Sequence, residues 1–172
     1  MPSALHLASR FLGSLWPLGP RAVDHRWAIS HLLSDEAELW LLMSRVDRRH
    51  AAGVARRTVA LLGPSTPREV VAAALLHDVG KLDSGLGTYG RVVATVCGRV
   101  GGLDMAEAWS SHRGFTRRVG LYLRHDTLGA DRLTLAGSDA LTIAWAREHH
   151  LPEERWTIPL DIGRALKEAD GD

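Results

Sequence analysis

The stretch from Thr66 to Gly80 constrains the fold more than any other part of the chain. Thr66 stands where an N-cap belongs, Pro67 takes the first helical position, and Glu69 completes the pattern of a capping box, so a helix is expected to begin here. It then runs through Val70-Val71-Ala72-Ala73-Ala74-Leu75-Leu76, a continuous apolar surface of mostly small side chains, which marks a helix buried on most sides. Such a helix delivers His77 and Asp78 to the interior, with Gly80 near its end. Polar side chains taken there need partners, because burying them unpaired is costly.

Helix signals dominate elsewhere too, and strand-like alternation is scarce, so the expected fold is an all-α single domain. Residues 37–62 carry apolar positions at close to helical spacing and stop at Gly63-Pro64, which predicts one helix containing His50. After a glycine-rich turn over 83–87, a helix is expected over 88–100, ending at Gly101-Gly102, and a shorter one over 104–111. Further helices are expected over 115–124, beside His125, over 127–136, and from a Ser138 cap to His149-His150. A last one, over 160–169, carries Asp170 at its end.

With 172 residues the chain can bury a core without disulfides or a structural metal, which leaves any bound metal free to do chemistry. Its 21 Lys and Arg against 20 Asp and Glu argue against a scaffold held on nucleic acid or anionic lipid. Cys97 has no second thiol to pair with or to share a zinc, which suits a reducing cytoplasm, and it reads as a small core residue. No membrane span is expected, since the nearest apolar run, Leu75 to Leu86, is interrupted by His77, Asp78, Lys81 and Asp83. Residues 1–33 read as an N-terminal packing arm, broken by Pro17 and Pro20, and residues 34–172 as the helical metal-binding domain. The tryptophans at 16, 27, 40, 109, 145 and 156 read as core and rim packing.

The side chains that suggest chemistry are His50, His77, Asp78, His125, His149, His150 and Asp170. Imidazole and carboxylate suit Mn, Fe, Co, Ni or Zn, and a carboxylate can join two ions. Neighbours such as His77 and Asp78 point about 100° apart on a helix, so a pair at a buried helix end can serve two adjacent ions.

The runs Arg48-Arg49-His50 and Leu75-Leu76-His77-Asp78-Val79-Gly80-Lys81 resemble the opening of the HD phosphohydrolase superfamily, whose fold is a helical bundle. Tyr122-Leu123-Arg124-His125-Asp126-Thr127-Leu128-Gly129 and Glu148-His149-His150 resemble the extra histidines of its two-metal branch, which includes the HD-GYP phosphodiesterases. The likeness runs in order from His50 to Asp170. It implies a first divalent metal on His50, His77, Asp78 and Asp170, and a second on Asp78, His125, His149 and His150, with Asp78 bridging. Asp161 and Asp172 are the alternatives to Asp170 as the last ligand. The implied activity is hydrolysis of a small phosphate ester or nucleotide-like substrate by a metal-bound hydroxide, with Asp78 and Lys81 as catalytic residues and Lys81 neutralising a phosphate oxygen. Two ions roughly 3.5–4 Å apart suit in-line displacement at phosphorus.

The chain departs from HD-GYP domains in reading Leu151-Pro152-Glu153-Glu154-Arg155-Trp156 where Gly-Tyr-Pro would follow, so cyclic dinucleotide hydrolysis does not carry over. Specificity is expected from loops over 83–89, 101–114 and 151–159. Arg124, Arg147 and Arg155 are candidates for phosphate contacts or an ordinary solvated face, and His112 for the surface or a substrate pocket. His6, His25 and His31 read as structural or solvated. Two other functions stay open: a mixed-valent di-iron oxygenase of the same fold, and a non-catalytic regulatory or binding module.

Overall fold

A computed structural model describes residues 19–171. Its α-helices are α1 (Ala22–Ile29), α2 (Ser34–Leu42), α3 (Arg45–Leu62), α4 (Arg68–Leu76), α5 (Thr88–Ser110), α6 (Gly114–Leu123), α7 (His125–Leu135), α8 (Ala140–Glu148) and α9 (Leu160–Asp170). Short 3₁₀ turns over Val79–Ser84 and Glu153–Arg155 complete it, and no strand occurs among the described residues. The all-α expectation therefore holds.

The apolar run predicted to be buried is the centre of the core: every residue from Val70 to Leu76 is at most 1% exposed. Helices α3 and α8 pack against α4, α9 lies on α3, and α7 packs on α8 and on the 79–84 turn. Trp40, Leu133, Trp145 and Leu166 fill the space between them, with Trp27 and Trp156 at the margin. Helices α5 and α6 form a hairpin around a smaller cluster of Leu86, Ala94 and Val119, edged by Trp109, Tyr122 and Cys97. Cys97 is thus half-buried at that margin rather than in the main core.

Most of the expected arm, Met1 to Leu18 with His6 and Trp16, lies outside the described residues. From Ala22 onward the chain packs on the rest: Ala28 is fully buried, Arg56 lies 3.7 Å over the Trp27 ring, and Trp40 Nε1 donates to His25 Nδ1 at 3.1 Å. His31 Nδ1 donates to Trp27 O at 2.8 Å, so both described histidines of this region are structural.

Several local expectations need correction. The helix predicted over 37–62 is two helices, because Met43 turns extended (φ −60°, ψ 148°) and Ser44 caps a new start by accepting from Asp47 N at 3.1 Å. The box at Thr66 does not form: its hydroxyl turns back to donate to Gly63 O at 2.6 Å, and Pro67 becomes the flanking residue of α4. Arg68 secures that end instead, donating to Glu36 Oε2 at 3.0 Å and to Asp139, which replaces Ser138 as the residue before α8. Tertiary ion pairs here replace the local cap.

Gly101-Gly102 does not end a helix, and α5 runs unbroken to Ser110. Each glycine costs about 1 kcal/mol inside a helix, but α6 packs along α5 and compensates. The approach is close enough that a Cβ on Gly120 would stand 2.6 Å from Ala106 O.

The start of α3 is tied to α5 by a buried ion pair. Arg91 Nη2 donates to Asp47 Oδ2 at 2.8 Å, Nη1 donates to Oδ1, and Ser44 Oγ donates to Oδ2 at 2.7 Å. Burial alone would push the Asp47 carboxyl up, but Arg91 outweighs it and holds the group below its ordinary value. The stabilisation is therefore complete above the unfolded carboxyl value of about 3.9 and disappears as pH falls through the lower folded value. Asp47→Asn is expected to cost roughly 2 kcal/mol at neutral pH. Urea unfolding at pH 7 and pH 3 checks this; a gap that does not narrow at pH 3 contradicts it.

Candidate metal centre

Five helix ends or faces meet beneath the end of α4. His77 follows its last turn and Asp78 occupies the bridge conformation (φ −98°, ψ 8°) that starts the 79–84 turn. His50 comes from within α3, His125 opens α7, His149 and His150 follow α8, and Asp170 ends α9. Residues spread over 120 positions of sequence thus come together in one cluster, as His50 Nε2 lies 2.8 Å from Asp170 Oδ1.

Asp78 sits between two groups of imidazoles. Its Oδ2 is 3.5 Å from His77 Nε2, while its Oδ1 is 3.4 Å from His125 Nε2 and 3.9 Å from His149 Nε2. His77 Nε2 is also 3.8 Å from Asp170 Oδ1, and His150 Nε2 is 3.3 Å from His125 Nε2. Two sets can each hold a metal ion, His50 with His77 and Asp78, and His125 with His149 and His150; within each, the candidate ligand atoms lie within 4.8 Å of one another.

Three of the rings are held in a tautomer that leaves Nε2 able to bind a metal. Nδ1 of His77 faces Ala74 O at 3.0 Å, that of His125 faces Tyr122 O at 2.7 Å, and that of His149 faces Ala146 O at 3.0 Å. A carbonyl can only accept, so each Nδ1 carries the proton and each Nε2 turns a lone pair inward. Nε2 of His77 and of His149 is buried without a hydrogen-bond partner. Unsatisfied buried nitrogens are uncommon in native folds and call for an explanation, and a bound cation supplies one.

The charge balance also suits a cation. Burial would raise the Asp78 carboxyl, but the Lys81 ammonium beside it outweighs burial and holds Asp78 well below the usual carboxylate range. Burial drives His149 well below the ordinary histidine value, with His150 and His77 adding to it, and burial followed by His125 lowers His150 in the same direction. The carboxylate stays charged and both imidazoles stay neutral, which are their ligand forms.

Lys81 donates to Asp78 Oδ2, so in this arrangement its ammonium is engaged by the carboxylate. Asp161 is exposed in the first turn of α9, away from Asp170, and Asp172 lies outside the described residues. His112 and Arg155 are exposed, Arg147 faces Asp131 at 3.4 Å, and Arg124 donates to Ser110 Oγ at 3.0 Å.

Supporting residues had no assigned role in the sequence reading. Buried Glu148 accepts from Thr157 N and Thr157 Oγ1, each at 2.7 Å, and fixes the loop after the histidine pair. Lys167 Nζ donates to His149 O at 2.8 Å, and the Tyr122 ring stacks on His125 with centroids 5.6 Å apart. An acid adjoining His149-His150 was the one local signal for Glu148; Lys167 gave none. No helix is long and apolar enough to cross a membrane among the described residues. No protein-family model, curated protein or solved structure matches the chain.

Proposed function

We propose that the chain is a metal-dependent phosphohydrolase of the HD type, acting on a small phosphate ester with two divalent transition metals held by the His/Asp cluster. The observation that carries this reading is Asp78, whose two oxygens face separate imidazole groups that include the unpartnered nitrogens of His77 and His149. In the proposed assignment, His50, His77, Asp78 and Asp170 hold one ion, and Asp78, His125, His149 and His150 the other. Divalent ions bound there would supply Lewis acidity toward a phosphoryl group and lower the pKa of water.

The protein's own groups have distinct tasks. The carbonyls of Ala74, Tyr122 and Ala146 fix three ring orientations, and Asp170 orients His50. Lys81 balances the Asp78 carboxylate, and beside a bound phosphate its ammonium would be the nearest side-chain cation to receive an oxygen.

The test is hydrolysis of phosphomonoesters, phosphodiesters and nucleotides by protein reconstituted anaerobically with Mn²⁺. Turnover without oxygen is the expected result. Inertness of metal-loaded protein toward the whole panel would favour a non-catalytic module, and turnover of an organic substrate only with iron and dioxygen would favour an oxygenase.

A further inference from the structure

A cavity of about 270 Å³ opens on the Lys81 side of Asp78, between the α2–α3 junction and the 79–87 segment. Leu42, Met43, Val79, Leu82 and Leu86 give it apolar lining, and Gly85 and Gly87 add bare backbone. Leu42 is 66% exposed at the rim, a large apolar side chain with little cover.

The polar groups on the same wall are already engaged with one another. Ser44 Oγ donates to Asp47 Oδ2, both Asp47 oxygens accept from Arg91, and Arg91 Nε donates to Leu86 O at 3.0 Å. Apart from the Asp47–Arg91 pair, whose charges face each other, the cavity carries its charge at Asp78 and Lys81, and the rest of its lining offers apolar side chains and glycine backbone. A polyhydroxylated group placed there would lose water without gaining equivalent hydrogen bonds, whereas an aryl or alkyl group would gain burial.

We infer that this cavity receives the organic body of the substrate, making the site selective for phosphomonoesters of a compact apolar alcohol over sugar phosphates. The inference rests on the phosphohydrolase reading, with the phosphate at the charged end. Gly87 is the position from which to probe it: its backbone is extended (φ −73°, ψ 174°) and no atom lies within 4 Å of where a Cβ would stand, so a larger residue brings no strain of its own.

The experiment measures binding of phenylphosphonate and methylphosphonate, which cannot be hydrolysed, to the Mn²⁺-loaded full chain by calorimetry. Phenylphosphonate is expected to bind about tenfold tighter or better, from burial of its ring. Gly87→Trp, which adds bulk at the cavity wall, and Leu42→Asp, which charges its rim, should each bring that ratio close to one, with metal content measured alongside. Equal affinities in the wild type overturn the inference and leave the phosphohydrolase reading standing. A preference that survives both substitutions also overturns it, since the ring is then held elsewhere. Failure of both phosphonates to bind metal-loaded protein overturns both readings together.

Discussion

Asp78→Ala is expected to remove transition metal from both halves of the cluster, whereas His149→Ala should lose it from one. Elemental analysis of protein purified without a histidine tag is the measurement, with about two ions per chain expected for the wild type in a two-metal site. The asymmetry follows from position: Asp78 faces His77 through one oxygen and His125 and His149 through the other, while His149 has its Nε2 on one side of that carboxylate. Loss of metal assistance worth several kcal/mol in the transition state predicts a fall in kcat/KM of roughly a thousandfold or more for Asp78→Ala. Replacement of Asp78 also leaves half-buried Lys81 without its carboxylate, so circular dichroism must accompany the assay. Equal metal loss in the two variants contradicts the shared carboxylate, and a wild type that takes up no Mn, Fe, Ni or Zn contradicts the metal centre.

Gly80→Ala should be the most damaging conservative substitution in the chain. An added Cβ would stand 1.9 Å from His125 O, 2.5 Å from Gly129 N and 2.8 Å from His125 C. All of these atoms are backbone, so no rotamer change relieves the overlap, and the first turn of α7 has to move away from the 79–84 turn. A displacement of that kind goes beyond ordinary overpacking and is expected to cost on the order of 4 kcal/mol, which lowers Tm by roughly 10 °C. It also carries His125 away from Asp78. The checks are a thermal melt and metal content, with His149→Ala as a reference for one-sided loss. A melt within about 2 °C of wild type would mean that α7 does not approach the turn this closely.

The two substitutions differ in what a reader of the sequence can foresee. The dipeptide at 77–78 stands at the end of an apolar run that can only be a buried helix, and its exposed fraction of a few per cent agrees. Gly80, by contrast, reads only as a helix terminator. Its closest neighbours, His125 and Gly129, lie some forty-five residues downstream, where local pattern says nothing about it.

The same division runs through the fold. Apolar periodicity and stop signals located α6, α7 and α9 to within a few residues, because those helices owe their ends to local chemistry such as Gly137 at φ +67° and Gly171 at φ +80°. Where ends depend on distant partners, local reading failed. Thr66 lost its capping role to a helix start held by Arg68, Glu36 and Asp139, and Gly101-Gly102 stayed helical where α6 packs against α5.

By itself, then, the sequence determined an all-helical chain, a buried His-Asp pair, and the side chains available to accompany it, since residue type, amphipathic period and caps are local properties. Only the tertiary structure decided that Asp170 rather than Asp161 lies against His50, which nitrogen of His77, His125 and His149 carries the proton, that Lys81 leans on Asp78, and that a cavity opens beside them. These are consequences of which helix ends meet, and meeting is set by packing between residues far apart in the chain.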